Sequence, residues 1–210
     1  MNIENITILG FTEPHILMIS EILLSKNILP KLQIYDNQKR VSSPIDYIEN
    51  EIEFVSDIEN LNNYIFCLSK PLGKKYFVEK YNLSESKFIS LLHKTSEISP
   101  FSNYKNGLRV EPFSYIGPKT EIGKYVNINR GCVIGHHNRI GNYSTLNPSV
   151  KTAGYVTIGD MTEIGIGTTI INNINIGNNS IIGAGSVVTK DIPDNVVAYG
   201  NPCKIIRKNL

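Results

Sequence analysis

The chain has 210 residues and a mass of 23.5 kDa, which is enough for one large domain or two small ones. Hydrophobic residues make up 41% of the chain and charged residues 19%, an ordinary balance for a globular protein. No apolar stretch reaches the roughly 18 residues of a transmembrane helix, so we expect no membrane insertion. The first ten residues, MNIENITILG, lack the basic and apolar regions of a signal peptide, so secretion is not expected either.

The distributions of cysteine and charge indicate where the protein is located and which kind of ligand it binds. Cys67, Cys132 and Cys203 are spaced too unevenly for a disulfide framework or a CxxC metal site, which favours a cytoplasmic location. The net charge of +2 divides unequally, with 10 Lys or Arg against 13 Asp or Glu in residues 1–97 and 11 against 6 in residues 98–210. The basic part lacks the dense cationic stripe typical of a nucleic-acid binder. We therefore expect a small phosphorylated ligand and no nucleic acid.

The first 97 residues alternate short apolar runs with amphipathic ones, a pattern that predicts a small parallel sheet with helices between its strands. The first strand-to-helix turn starts at Gly10 but lacks the GxGxxG pattern of a dinucleotide site, so it gives little support for NAD. The predicted strands are 5–9, 32–35, 52–55, 64–68 and 88–92, and the predicted helices are 14–27 and 71–82.

From Ile98 to Val188 an anchor residue recurs at every sixth position without an insertion, and 14 of these 16 positions are Ile, Leu or Val. Neither the helical period of about 3.6 residues nor the alternation of ordinary strands explains a strict period of six. A solenoid does, with one short strand and a turn per hexapeptide and three hexapeptides per triangular coil. Residues 98–187 then form about five coils, whose anchors stack inward 18 residues apart. We expect the glycine that often follows the anchor to ease unusual backbone angles at the turn.

The repeat region contains only two histidines, His136 and His137, which are adjacent in the segment GHHNRIG and follow the anchor Ile134. A histidine with an ordinary pKa of about 6.5 can accept a proton at neutral pH, so either ring suits general-base chemistry. A catalytic zinc site needs three protein ligands, and no third histidine lies within residues 98–210. We therefore expect no metal.

These repeats resemble the left-handed β-helix of the hexapeptide acyltransferases, and the histidine segment resembles that of the NeuD/PglD-like sugar acetyltransferases. The resemblance covers nearly the full chain. It implies an α/β small parallel-sheet domain at 1–97 that binds a nucleotide sugar, a left-handed β-helix acyltransferase domain at 98–188, and a C-terminal segment at 189–210. It also implies acetyl-CoA as co-substrate and a homotrimer with active sites between subunits.

The same resemblance assigns catalytic residues. His136 falls on the general base of the family, with Ile140-Gly141 setting the register. Gly154 follows 18 residues later, at the position where a backbone N–H can face the acetyl carbonyl and stabilise an oxyanion. Two positions depart from the family: His137 replaces the usual Asp or Glu after the base, and Thr145 replaces a further histidine on the substrate side.

Coenzyme and substrate residues are likewise implied by the resemblance. Acetyl-CoA is expected along the last coils, where small residues leave the main chain open and basic residues can pair with phosphates. The nucleotide sugar is expected at the turn after the first strand and at the end of the second. The implied coenzyme residues are Gly154, Gly165, Gly167, Gly183, Ala184, Gly185, Lys190, Lys204 and Arg207, and the implied substrate residues are Gly10, Glu13, Asp36 and Thr145.

Three functions remain open from the sequence. The first is N-acetylation of a nucleotide-linked amino sugar for a bacterial surface glycan, with His136 as base. The second is O-acetylation of a sialic acid or polysaccharide unit, suggested by the altered turn at Glu13. The third is a non-catalytic solenoid that serves as a binding or assembly module, suggested by His137 in place of a carboxylate.

Overall fold

The structure is a computed structural model that describes residues 4–10, 13–35, 51–58 and 60–209. Asp36, one of the expected substrate residues, lies outside these residues. A small parallel sheet with two helices is followed by a parallel β-solenoid, which confirms the predicted fold class. Among the residues described, no helix has the length and apolar character needed to cross a membrane.

Within the described residues, the N-terminal sheet has four parallel strands. Ile6 and Ile8 of its first strand pack with the first helix, whereas Leu9 joins a separate cluster that contains Phe77 of the second helix. The helices therefore cover opposite faces of the sheet, as expected from alternating strands and helices. The bounds are Asn5–Leu9 (β1), Glu13–Ser25 (α1), Lys31–Tyr35 (β2), Ile52–Phe54 (β3), Tyr64–Phe66 (β4) and Pro71–Lys80 (α2), with a 3-10 turn at Glu85–Lys87 and the strand order β3-β2-β1-β4.

The solenoid consists of two-residue strands on three faces. The first face carries β5, β8, β11, β14, β17 and β20, the second β6, β9, β12, β15, β18 and β21, and the third β7, β10, β13, β16 and β19. Their bounds are Leu91–Leu92 (β5), Glu97–Ile98 (β6), Asn103–Tyr104 (β7), Arg109–Val110 (β8), Tyr115–Ile116 (β9), Glu121–Ile122 (β10), Asn127–Ile128 (β11), Val133–Ile134 (β12), Arg139–Ile140 (β13), Thr145–Leu146 (β14), Lys151–Thr152 (β15), Thr157–Ile158 (β16), Glu163–Ile164 (β17), Thr169–Ile170 (β18), Asn175–Ile176 (β19), Ile181–Ile182 (β20) and Val187–Val188 (β21).

The predicted 18-residue coil is confirmed by the strand register. Ile122 pairs with Ile140, and Ile140 pairs in turn with Ile158, so anchors of successive coils stack in one apolar core. Tyr104 is the exception, since it lies on the first coil and is 44% exposed. After the last coil, Val196–Tyr199 (β22) extends the first face in parallel, and Lys204–Lys208 (β23) adds an antiparallel edge strand.

The solenoid begins earlier than the repeat count predicts. Phe88 forms an isolated parallel bridge with Tyr64 of the N-terminal sheet, but β5 pairs with β8 of the solenoid. The predicted strand 88–92 was therefore wrong as a single element. The reason is periodicity: Leu92 lies six residues before Ile98, so it occupies one further anchor position. The division of the chain into domains at 97/98 stays a prediction.

The glycines after the anchors have a different physical reason from the one predicted. The left-handed backbone angles occur three residues after the anchor, for example at Tyr143 (φ 62°) and Gly167 (φ 69°). Gly165, directly after an anchor, has no such angle, but a Cβ there would lie 2.5 Å from the backbone N of Ala184 in the next coil. These glycines are therefore needed for close approach between coils, not for backbone freedom.

Gly165→Ala is accordingly expected to destabilise the protein by about 1–3 kcal/mol, because backbone atoms of the next coil cannot move aside. Gly167→Asn, two residues along, is the matched control. Nothing lies within 4 Å of a Cβ at Gly167, and asparagine already adopts the left-handed angle at Asn173, so its change should stay within about 0.5 kcal/mol. Urea denaturation measures both, and equal losses would contradict the close-approach explanation.

The N-terminal domain packs on the first face through α2. Phe66 and Phe88 of the domain contact the Tyr125 ring of the solenoid, with centroids 5.7 and 4.6 Å away. Lys74 of α2 is completely buried where the N-terminal domain meets the solenoid. Its Nζ donates to Tyr125 O at 2.8 Å and to Thr145 Oγ1 at 3.2 Å. Burial lowers the pKa of Lys74 well below its ordinary value of 10.5.

This lysine should make stability depend on pH. Between its lowered folded-state pKa and about 10.5, the unfolded chain binds a proton that the folded chain does not, so stability rises with pH. We expect wild type to gain up to about 1.4 kcal/mol per pH unit relative to Lys74→Met in this window. Lys75→Met, the next residue of the same helix, is the control and should keep the wild-type slope, because its side chain is 43% exposed. Urea denaturation at several alkaline pH values tests this, and equal slopes for wild type and Lys74→Met would refute it.

Candidate active site

The adjacent histidines lie where β12 meets β13, at an edge between the second and third faces. His137 has a φ of 56°, and its backbone N–H donates to Pro118 O of the preceding coil at 2.9 Å. This left-handed turn leaves His136 exposed and His137 half-buried. We call this edge the histidine corner, and it comprises residues 117–120, 135–138 and 153–156.

The two imidazoles form a hydrogen-bonded pair. Nδ1 of His136 lies 2.9 Å from Nδ1 of His137, and the ring planes are nearly perpendicular at 88°. Tyr155, from the next coil, stacks on His137 with centroids 4.6 Å apart and planes 22° apart. Partial burial, followed by the neighbouring Lys119 and His136, lowers the pKa of His137. The lowered pKa favours the neutral form of His137 at pH 7.

Gly154 lies against the His136 ring, one coil further along. A Cβ at Gly154 would overlap the ring at Cε1 and lie 2.7 Å from Nε2. The structure thus brings these two sequence-predicted residues together, because an unbroken 18-residue register places them in the same column of the solenoid. Only glycine at this position leaves room for the imidazole.

The backbone N–H of Gly154 is available to a ligand. Within the described ranges, no acceptor of a hydrogen bond from this N–H occurs. At the edge between the third and first faces, side chains cap the corresponding groups: the N–H of Asn142 donates to Asp160 Oδ1 at 2.7 Å, and that of Asp160 to Asn178 Oδ1 at 2.8 Å. The histidine corner lacks such a cap at Gly154, so this donor can bind a developing negative charge.

Asn138 holds the turn that carries the pair. It is 1% exposed, and its Nδ2 donates to Gly135 O at 2.7 Å and to Ala153 O at 3.0 Å, while its Oδ1 accepts from Val156 N–H at 2.8 Å. The sequence shows Asn138 at an inward position that is usually small, but assigns it no role. These three bonds connect the turn before His137 to the turn that contains Gly154.

A cleft of about 550 Å³ opens beside the pair on the third face. Its floor is polar and carries both signs of charge, with Arg139 Nε 3.6 Å from Glu121 Oε2 and Lys119 nearby. Its walls include exposed aromatic rings. The lining residues are Phe101, Asn103, Lys119, Glu121, His137, Arg139, Tyr155 and Thr157.

Apart from Gly154, which belongs to the histidine corner, the expected coenzyme glycines lie at a different edge, between the first and second faces. Gly167 and Gly185 have open space where a Cβ would be, and Ala184 is exposed, so this main chain is accessible. Gly165 and Gly183 are close-packed instead, against the next coil and against Tyr199 Cβ respectively. One solenoid face separates this edge from the histidine corner, and a six-residue segment spans up to about 20 Å.

The expected basic residues are all exposed, but they do not lie together at one edge. Lys204 pairs with Tyr199, the residue that covers Gly183, so it belongs to the glycine edge. Arg207 lies further along β23, and its Nη1 donates to Lys208 O at 2.9 Å. Lys190 instead follows β21 on the side of the histidine corner.

The expected substrate residues that the structure describes, Gly10, Glu13 and Thr145, do not contact the histidine pair within one chain. Thr145 is completely buried beneath the N-terminal domain, where its hydroxyl donates to Ser69 O at 2.6 Å. Gly10 has a φ of 85° and packs on Leu68, and Glu13 is exposed at the start of α1. Thr145 is therefore not accessible to a ligand in this arrangement.

Residues 106–148 and 155–190 match the family model described as bacterial transferase hexapeptide (six repeats). No curated protein matches the sequence. The fold is similar to that of PerB from Caulobacter crescentus, solved with CoA and GDP-perosamine (24% identity, 96% of this chain and 97% of that one, TM-score 0.83). It is also similar to that of the acetyltransferase domain of PglB from Neisseria gonorrhoeae, solved with acetyl coenzyme A (17% identity, 97% of this chain and 100% of that one, TM-score 0.84). A third similar structure is WeeI from Acinetobacter baumannii (20% identity, 96% of this chain and 100% of that one, TM-score 0.72). These likenesses confirm the predicted resemblance in repeat and fold.

Proposed function

Since the chain carries bacterial transferase hexapeptide repeats in a fold that it shares with sugar N-acetyltransferases, we propose that it is an acetyl-CoA-dependent acetyltransferase acting on a nucleotide-linked amino sugar. The observation that carries the proposal is the contact of the His136 ring with Gly154. The open cleft is lined by the residues next to them in the chain, His137 and Tyr155. A general base and a free N–H donor at one edge are what acyl transfer requires.

In this mechanism His136 takes a proton from the acceptor amine as the nitrogen attacks the thioester carbonyl. The N–H of Gly154 donates to the oxyanion of the tetrahedral intermediate. The C–S bond then breaks, the new C–N bond remains, and His136 returns the proton to the departing sulfur. The proton balance closes without a covalent enzyme intermediate or a metal.

We propose further that the enzyme is a homotrimer in the cytoplasm. Gly167 and Gly185 offer accessible main chain at one edge of the solenoid, and His136 lies at another. A site that uses both edges at short range needs two chains, one for each edge. Light scattering tests the assembly, and a monomer that turns over acetyl-CoA would contradict it.

The activity is tested by incubating the full chain with acetyl-CoA and amino sugars linked to UDP, GDP, CDP or dTDP. We expect one acetyl group on one of these sugars, detected by mass spectrometry, together with release of CoA. A product stable to mild base is an amide, whereas a labile product indicates the alternative O-acetylation. Calorimetry that shows no binding of acetyl-CoA would refute both and favour the non-catalytic module.

A further inference from the structure

The histidine pair places a constraint on its protons. Two Nδ1 atoms 2.9 Å apart form a hydrogen bond only if one carries hydrogen and the other presents its lone pair. The ring that donates through Nδ1 has its lone pair on Nε2. In His136, Nε2 is the nitrogen on the Gly154 side that is not used in the pair. A base that works through Nε2 must therefore donate its Nδ1–H to His137.

We infer that His137 is a positioning residue whose Nδ1 accepts the Nδ1–H of His136, and so holds the Nε2 lone pair of His136 ready for the acceptor. The inference rests on the proposed function for its catalytic consequence, but the hydrogen bond itself is a property of the free protein. A neutral imidazole here takes the orienting role that a carboxylate could fill, without adding negative charge.

Two contacts and a backbone angle hold His137 in the accepting geometry. Its ring stacks on Tyr155, its backbone N–H is bound to Pro118 O, and its left-handed φ orients the side chain. The accepting nitrogen also has to remain unprotonated, and the lowered pKa of His137 favours that state at neutral pH. The titratable and charged groups around it, from all elements packed there, are Lys119, Glu121, His136, Arg139 and Tyr155.

Protonation of His137 would convert its Nδ1 into a donor. The pair could then persist only with His136 Nδ1 as the acceptor, which puts the hydrogen of His136 on Nε2 and removes the lone pair that the base needs. Activity should therefore fall on the acid side as the pair gains a proton, with an apparent pKa that belongs to both rings. Lys119 opposes that proton, and the Arg139 charge is partly balanced by Glu121 at 3.6 Å.

The experiment uses two variants of the full chain. His137→Phe keeps an aromatic ring for Tyr155 but cannot accept, and aromatic residues already adopt the same left-handed angle at Tyr143 and Phe113. His137→Glu restores an acceptor with a charge. Nitrogen-15 NMR of the histidine rings, without substrate, should show the Nδ1–H tautomer of His136 in wild type and the Nε2–H tautomer in His137→Phe.

Measurements of kcat and KM then distinguish a positioning role of His137 from a packing role. We expect His137→Phe to lower kcat about 10- to 100-fold with little change in KM for acetyl-CoA. His137→Glu should recover most of kcat and move the acid limb to higher pH, because a carboxylate stabilises the protonated base. Full activity of His137→Phe, or an unchanged His136 tautomer in it, would overturn the inference. If no variant and no wild type transfers acetyl, the proposed function fails, while the NMR result still decides the hydrogen bond.

Discussion

His136→Ala should lower kcat by about 100- to 10,000-fold, which is the usual contribution of a general base. The attacking amine would have to lose its proton to water, because the ring that lies against the Gly154 donor is gone. Stability should change little, since His136 is exposed and its removal opens no core cavity. Steady-state kinetics with saturating acetyl-CoA measure the loss.

The matched control is Asn172→Ala. Asn172 occupies the same turn position as His136, two coils further along, and is exposed as His136 is. This variant should keep wild-type kcat. Calorimetry should show that His136→Ala still binds acetyl-CoA, which separates lost chemistry from lost binding. A His136→Ala protein with full turnover would remove His136 from the mechanism.

Gly154→Ala should lower kcat about 100-fold, although the substituted residue keeps its backbone N–H. The added Cβ would occupy the place of the His136 ring, 2.7 Å from Nε2, so the imidazole has to swing away from the donor. The side chain can move, so the fold should survive. The expected loss is therefore in catalysis more than in unfolding free energy, and both are measured on the same preparation.

A double variant tests this cause. If the Cβ acts by displacing the base, His136→Ala combined with Gly154→Ala should be no slower than His136→Ala alone, because the displaced ring is already absent. Losses that multiply would show that the Cβ damages the site by another route, for example by shifting the Gly154 donor. Wild-type activity of Gly154→Ala would contradict the observed ring contact.

The sequence predicts most of the fold because the solenoid is a local structure repeated. Each hexapeptide buries its own anchor. Because the period of six is strict, the coil and the face on which a residue lies can be calculated from its number. That is why His136 and Gly154, 18 residues apart, could be predicted to meet. The same period, extended by one hexapeptide, would also have placed Leu92 in the solenoid.

Distances between coils and between domains depend on packing that no period describes. The close approach that requires Gly165 follows from the spacing of two coils, and the same spacing explains why Gly167 remains open. Likewise the burial of Thr145 and Lys74 follows from how α2 packs on the first face, which no local pattern encodes.

By itself, then, the sequence determined a parallel sheet domain, a triangular solenoid and the column that holds the catalytic candidates, since hydrophobic periodicity specifies all three. Only the tertiary structure decided that His136 and His137 bond through their Nδ1 atoms, and that the accessible glycines lie one face away. Both facts depend on the direction in which side chains leave a tight turn. That direction is set by backbone angles such as the φ of His137 and by the neighbouring coils, which come together only in the folded chain.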